Sequence, residues 1–578
     1  MRMQSTSTAS WSGTPSIKGS SEAVRMCLLT FCLIGLQFTW GIEMTYGTPY
    51  LLQLGLTKSK TSLVWIAGPL SGLIMQPVVG AYADKSTSRY GRRRPYMVVG
   101  ALITGLGLLL LGWTSEVVGL FLAEGETKKS VTILVAVLCI YALDFSVNAV
   151  QACSRSLIVD TLPISLQQAG SAWASRLTAA GHLLGYFIGT FDLVKMFPPW
   201  LGGDTQFKKM TVISAMALWI TVGVTSWAVT ERVRLPGDDD ETSVKEVLSN
   251  LWQRTTHLPR RIRAICWVQF WNWVGWFPFL FYSSTFVGEV YYRYERPVPE
   301  PGAKDDHDAL GNIGRMGSVS LVLFSLITFC SSVVLPYIIR TPEEGEKFTP
   351  RPPRTLNKSV QSLLIKAYKL QPDLTTAWMW SNMLFAMITI CAPWVHSLTS
   401  AEALVAACGV PWAVSCWAPF GLLGVEINKM SSGPHAHVHG STAPGYTAVR
   451  ASIDEDVESI EMEETSHGRR ALADGVLRIN HPSDHGAHSA TGELAGVYLG
   501  VLNVYTTLPQ FVGTFISWIV FSLLEPAKSD SLADTDPDHH RWLNIKKNAP
   551  NAIAVCLFIG ALCSTVAAEA ARRLKRLD

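Results

Sequence analysis

The chain has 578 residues, of which 48% are hydrophobic and only 16% are Asp, Glu, Lys or Arg. Soluble domains carry about 25% charged residues, and here the deficit is concentrated in long uncharged runs. The net charge of +3 is too small to imply a nucleic-acid partner, whereas 20 tryptophans suit a chain with membrane interfaces to anchor.

The first residues are polar and rich in Ser and Thr, and 1–25 read as a disordered N-terminus. The apolar run that begins near Met26 is too long for a signal-peptide core, so it reads as a retained first span. A spanning helix needs about 20 mostly apolar residues. Twelve stretches qualify: 26–54, 62–82, 95–115, 131–153, 171–193, 209–229, 263–284, 315–339, 374–394, 402–424, 494–523 and 549–569. The expectation is an all-α polytopic membrane protein with an N-terminal half over 26–229 and a central loop over 230–262. Its second half covers 263–424 and 493–570, with a basic tail over 571–578.

Lys and Arg in short loops stay on the cytoplasmic side. They gather after span 2 (Lys85, Arg89, Arg92, Arg93, Arg94), between the halves, after span 8 and after span 12. The alternate loops hold few, such as Lys58, Lys60, Lys128 and Lys129. Both termini are therefore expected in the cytoplasm, and the sequon at Asn357 should carry no glycan. Nothing resembles a cleavable organelle signal, so the plasma membrane is expected, with the vacuolar membrane as the alternative. Residues 425–492, with His435, His437, His439 and an acidic run from Asp454 to Glu464, cannot bury a core and read as a disordered cytoplasmic insertion. Ser452 and Ser459 are weak candidates for phosphorylation there. The 11 cysteines lie mostly in apolar stretches without CxxC spacing and read as small packing residues.

A charge inside a span costs at least about 2.5–3.5 kcal/mol, so charged spans mark function. Asp144, Asn148, Gln151 and Arg155 in span 4 follow a helical spacing that puts them on one face. Similar stripes run through span 1 (Thr39, Glu43, Tyr46, Tyr50), span 7 (Asn272, Trp276, Phe279, Ser283) and span 11 (Asn503, Thr507, Gln510, Thr514). Together they suggest one central polar cavity, with rings to stack on sugar C–H faces and polar groups for hydroxyls. Glu43 either joins that cavity or pairs with a base such as Arg176 or Arg155. Tyr46, Trp271 and Trp276 read as packing residues ahead of ligands, and Pro278, Pro411, Pro419 and Pro509 as kinks.

The stretch from Gly80 through Asp84, Arg89, Gly91, Arg92 and Arg93 to Pro95 resembles the loop 2–3 signature of the major facilitator superfamily. Its stretched form is similar to that of sucrose transporters and the wider glycoside–pentoside–hexuronide cation symporters. Asp144 to Asp160, Gly181-His182-Leu-Leu-Gly185-Tyr186, and Gly500-Val-Leu-Asn503 with Pro509-Gln510 resemble spans 4, 5 and 11 of that family. Gly41-Ile-Glu43 looks closer to its fungal and animal branches.

The resemblance implies a major facilitator fold and a proton-coupled symporter for a disaccharide, either sucrose or maltose or a related α-glucoside. It implies that Asp144 carries the proton, with Arg155 binding sugar or controlling the aspartate, and that Asp84 and the arginines clamp a cytoplasmic gate. Where plant members are charged at the outer end of span 7, only Glu289 is charged here, and His182 stands where relatives often have Asn. No cofactor beyond the proton and no metal is expected, and the chain is taken as a monomer. A sugar uniporter or a non-transporting sugar sensor on the same fold are the rival readings. An enzyme is excluded for want of Walker A, HExxH or GxSxG motifs.

Overall fold

A backbone inside lipid has no water to bond, so each crossing segment must satisfy its own N–H and C=O groups as a helix. The computed structural model describes residues 11–234, 258–295, 309–340, 371–431, 476–478, 488–524 and 550–577. Twelve long helical segments account for most of them: α1 (Glu22–Gln53), α2 (Lys58–Val64 and Ala67–Lys85), α3 (Arg94–Gly112), α4 (Glu126–Thr161), α5 (Ile164–Thr190) and α6 (Gln206–Ala228), then α7 (Arg260–Val290), α8 (Ala309–Ile338), α9 (Leu374–Thr389), α10 (Leu398–Ala407 and Gly409–Ser431), α11 (His488–Leu524) and α12 (Ala552–Lys575). Ten are long and apolar enough to cross a membrane. The other two, α5 and α7, have the length but carry more polar residues.

The helix ends follow from local chemistry. Ser21, Thr57, Thr205, Asp373 and Asn551 each accept a hydrogen bond from the backbone three residues on, at α1, α2, α6, α9 and α12. Pro163 and Pro259 stand immediately before α5 and α7, where their ring is tolerated. Several helices outrun their apolar stretches. Helix α4 runs over Glu126–Thr161 where hydropathy marks 131–153, and α11 starts at His488 where it marks 494. Apolarity measures what lipid must cover, while the helix continues through polar turns beyond it.

The two halves repeat one packing pattern. Helix α1 packs on α5 and α6, α3 on α4 and α6, and α2 on α4; in the second half α7 packs on α11 and α12, α9 on α10 and α12, and α8 on α10. The correspondence extends to single contacts. A methyl group at Gly35 of α1 would stand 2.8 Å from the Ala217 carbonyl of α6, and one at Gly275 of α7 would stand 2.9 Å from the Gly560 carbonyl of α12. Small residues let helices approach closely where no hydrophobic force drives them together. The halves meet through α1 with α7, α2 with α11 and α5 with α8.

These meetings concentrate at one end of the bundle. There the Thr48 hydroxyl donates to the Phe281 carbonyl at 2.9 Å, and the Ser284 hydroxyl donates to the Thr45 carbonyl at 2.9 Å. Lys58 pairs with Glu289 at 2.8 Å, Glu289 also takes Arg293 at 2.6 Å, and Arg315 of α8 reaches Asp192 beyond α5 at 2.5 Å. Burial works against the Asp192 charge, but bonds from Lys195 and Arg315 outweigh it and hold the carboxyl below its ordinary range. This bridge therefore persists at mildly acid pH and is lost only as pH falls through that lowered value.

At the opposite end residues 11–21, within the stretch where composition suggests disorder, are ordered. Strand β1 (Trp11–Ser12) pairs with β4 (Val233–Arg234), and β2 (Ser16–Lys18) lies between β3 (Val229–Thr230) and β5 (Val476–Arg478), all antiparallel. Ile17 is fully buried at the foot of the first half. The two ends of the expected insertion, 425–431 and 488–492, are helical and belong to α10 and α11; the stretches 432–475 and 479–487, with the histidines, Ser452 and Ser459, lie outside the described residues, as does Asn357.

Candidate functional site

Helix α4 carries the polar stripe into the centre of the molecule. Asp144 is 1% exposed, and among the described residues no backbone, amide or basic donor is bonded to either of its carboxyl oxygens. Its interacting neighbour is the carboxyl of Glu43 on α1, whose Oε1 is likewise buried without a donor. Glu43 thus faces the aspartate, and not Arg176 or Arg155. One turn on, the Asn148 amide donates to the Ser71 hydroxyl of α2 at 2.8 Å and to the Asp144 carbonyl at 3.0 Å. Thr507 of α11 approaches the same place across Gly72, so the second half contributes to this layer.

Arg155 lies 11 residues beyond Asp144, about 16 Å along the helix. It is exposed, and across the gap between the halves its guanidinium faces Cys416 of α10, also exposed. A space therefore opens between α4 and α10 on the side away from the inter-half seal. Gln151, between Arg155 and Asn148, is half-buried, as are Asn503 and Gln510 on α11. The Gln510 amide donates to the Thr506 carbonyl at 3.1 Å. His182 of α5 stacks on Tyr186 with centroids 5.8 Å apart, and Tyr186 in turn lies over Gly41 of α1, two residues from Glu43.

The stripe on α7 turns elsewhere. Trp276 is fully buried and packs on Phe385 of α9 and Trp412 of α10, at 4.0 and 4.8 Å between centroids. Its indole N–H donates to the Asn272 side-chain oxygen at 3.1 Å, and the Ser415 hydroxyl donates to the same oxygen at 3.4 Å. Asn272 and Trp276 thus sit inside the second half. Tyr46 is equally buried, against Phe207 of α6 and Gly314 of α8. From α7 it is Phe281 that approaches the carboxyls: a methyl group at Gly68 of α2 would stand 3.9 Å from both its ring and Asp144 Oδ1. A residue among so many aromatics carried no sequence signal of its own.

The loop 2–3 motif forms a clamp whose partners the motif itself does not reveal. Arg92 pairs with Asp160 at 2.6 Å and Arg93 with the same carboxylate at 3.0 Å, joining α3 to the end of α4. Arg93 also donates to the Gly80 carbonyl at 3.3 Å. Arg89 is exposed and donates to the Tyr90 hydroxyl at 2.6 Å. The Asp84 side chain lies outside the described residues. The backbone N–H groups of Arg92, Arg93 and Arg94 all donate to the carboxylate of Glu231, at 3.0, 2.8 and 2.8 Å. Gly91, with φ of +106°, leaves room for it, since a methyl there would stand 2.7 Å from Glu231 Oε1. Glu231→Ala orphans three donors at a helix N-terminus, each lost partner costing about 1–3 kcal/mol. The purified variant is expected to unfold several degrees below the parent in a thermal melt, with Gly91→Ala shifting it the same way.

A sequence-family profile described as "MFS/sugar transport protein" matches residues 31–287. The General alpha-glucoside permease of Schizosaccharomyces pombe is 33% identical over 518 residues, which cover 80% of this chain and 91% of that one. The chain belongs to the sugar-transport family of the major facilitator superfamily. Sucrose transport protein SUT2 of Oryza sativa subsp. indica is 29% identical over 325 residues, 53% of this chain and 63% of that protein. Among solved structures, a bacterial homolog to the human lysosomal transporter Spinster aligns with a TM-score of 0.53 at 11% identity, covering 95% and 96% of the two chains. A structure from proton-dependent oligopeptide transporters aligns with a TM-score of 0.52 at 8% identity, covering 96% and 99%. These two likenesses concern the fold alone. This sugar-transport family member is a multi-pass membrane protein with the major facilitator fold and is not an enzyme.

Proposed function

We propose that this sugar transporter is a proton symporter that imports a disaccharide, either sucrose or maltose or a related α-glucoside, by alternating access between its two halves. The observation that carries the reading is the carboxyl pair of Asp144, buried, and Glu43, half-buried, among α1, α2 and α4, with no basic side chain bonded to either among the described residues. Two carboxylates side by side with no cation resist both being charged, and with Asp144 withdrawn from water the pair favours taking up a proton. A uniporter has no need of such a site. Arg155, exposed in the open space, is placed to meet sugar hydroxyls, and Asn148, Gln151, Asn503 and Gln510 supply further donors and acceptors between it and the carboxyls. The loops rich in Lys and Arg favour both termini in the cytoplasm and the sealed end on the far side of the membrane, and we take that membrane to be the plasma membrane, with the vacuolar membrane as the alternative.

The test is uptake of labelled sucrose and maltose by cells expressing the protein, at outside pH 5 and 7, with and without a protonophore. Accumulation at pH 5 that collapses with protonophore is expected. Equilibration alone, indifferent to pH, would leave a uniporter. A surface-located protein that moves neither sugar would favour a sensor.

A further inference from the structure

The carboxyl pair needs a lid as well as a proton, because a site open to both aqueous sides at once would leak. On the sealed side Phe281 of the second half comes up to Gly68, beside the carboxyls. Its ring and Asp144 Oδ1 both lie 3.9 Å from the position of a Cβ on Gly68, so the two flank the same glycine. The ring is held from three directions. Trp65 packs on it at 4.8 Å between centroids, Phe277 at 4.7 Å, and its own backbone carbonyl takes the Thr48 hydroxyl of α1 at 2.9 Å. The Trp65 indole N–H donates to that same hydroxyl at 3.1 Å. Helix α2 breaks between Val64 and Ala67, which turns Trp65 onto Gly47 of α1 and leaves Gly68 facing the carboxyl. Phe281 is 4% exposed and Trp65 1%.

We propose that Phe281 is a positioning residue for the proton site: seated on Gly68, its ring shuts Asp144 off from the sealed side only while the two halves touch there. The proposal rests on the symport reading above and adds the part that couples proton to movement. Phe281 belongs to the second half, whereas Asp144, Glu43 and Gly68 belong to the first. Separation of the halves at this end lifts the ring away and admits water to the carboxyls; closure expels it. The titratable groups facing Asp144 are Glu43 from α1 and Tyr141 from its own helix, while α2 and α7 present Gly68 and Phe281, which do not titrate.

The test uses the purified full-length protein in liposomes with a trapped pH dye and an imposed potential, negative inside. Proton entry is followed with and without sucrose or maltose, and sugar counterflow is followed against pH. Parent vesicles are expected to admit protons only with sugar. Phe281→Ala, which leaves a water path, is expected to admit them without sugar at least ten times faster than the parent. Water stabilises the charged carboxyl, so its counterflow profile should also move to more acid pH by about one unit. Phe281→Leu, which keeps most of the bulk, should restore both properties. A tight Phe281→Ala protein with the parent's pH profile overturns the proposal. If Phe281→Ala does not assemble, Phe281→Val takes its place with the same two outcomes. Parent vesicles that move sugar without protons would overturn the symport reading itself, a result distinguishable from a failure of the lid.

Discussion

Asp144→Asn is expected to abolish accumulation of sugar while leaving the protein folded and in the membrane. The substitution keeps the shape of a side chain that is 1% exposed and, among the described residues, is bonded by no backbone, amide or basic donor, so little packing is lost. What disappears is the group that can gain and lose a proton. One proton crossing about 100 mV releases roughly 2.3 kcal/mol, and a pH unit adds about 1.4 kcal/mol. The sum of roughly 3.7 kcal/mol sustains several-hundred-fold accumulation, and without a coupling proton the ratio falls to one. The measurement is the steady-state ratio of inside to outside sugar at pH 5, together with counterflow, which needs no net proton movement. Loss of accumulation with counterflow retained assigns the coupling step to Asp144. Undiminished accumulation would remove Asp144 from the mechanism. Glu43→Gln should act in the same direction, because the two carboxyls form one site.

The second large effect is expected at Glu289. Its carboxylate lies between Lys58 of the first half and Arg293 of its own, and the three side chains are only 2–14% exposed. Removing one member of a buried ionic cluster costs about 3–5 kcal/mol, and here Lys58 and Arg293 both lose the carboxylate that lies between them. In Glu289→Ala two cations are left facing each other across the contact between the halves. The strain is relieved if the halves separate, so the sealed arrangement should lose roughly 100- to 5000-fold in relative population. The readout is a cysteine at Ser284, buried beneath Met44 and Thr45 in the parent, in a background where exposed Cys391 is serine. An impermeant thiol reagent added outside should label it at least a hundred times faster in Glu289→Ala than in the parent. Equal rates would mean that the ionic cluster does not hold that end shut.

The bundle was legible because lipid imposes a coarse and repetitive code: long apolar runs, with Lys and Arg sorted between alternate loops. Even α5 and α7, the two helices more polar than the rest, were recognisable as mostly apolar runs of about 20 residues. Asp144 stood out because a carboxyl in an apolar run is costly, and Glu43 for the same reason. A stripe of polar residues, however, identifies a helix face without saying which neighbour that face meets. The stripe on α7 therefore pointed to Asn272 and Trp276, which the structure places inside the second half, while Phe281 sits at the carboxyls. Pairings between distant parts of the chain were also hidden. Glu231 is 138 residues from Arg93 and Lys58 is 231 residues from Glu289, and nothing local in either segment names its partner.

Strand β2 deserves a practical reading, since it is the middle strand of its sheet. Trimming the chain back to Glu22, a natural choice for someone who takes the first span as the start of structure, would strip β3 and β5 of their shared neighbour. Two short backbone edges would then lie unpaired at the water-facing base of the bundle, and such edges recruit strands from other molecules. A tag attached ahead of Trp11 leaves them covered. For this protein, the boundary chosen for expression is itself a decision about whether preparations remain dispersed or stick to one another.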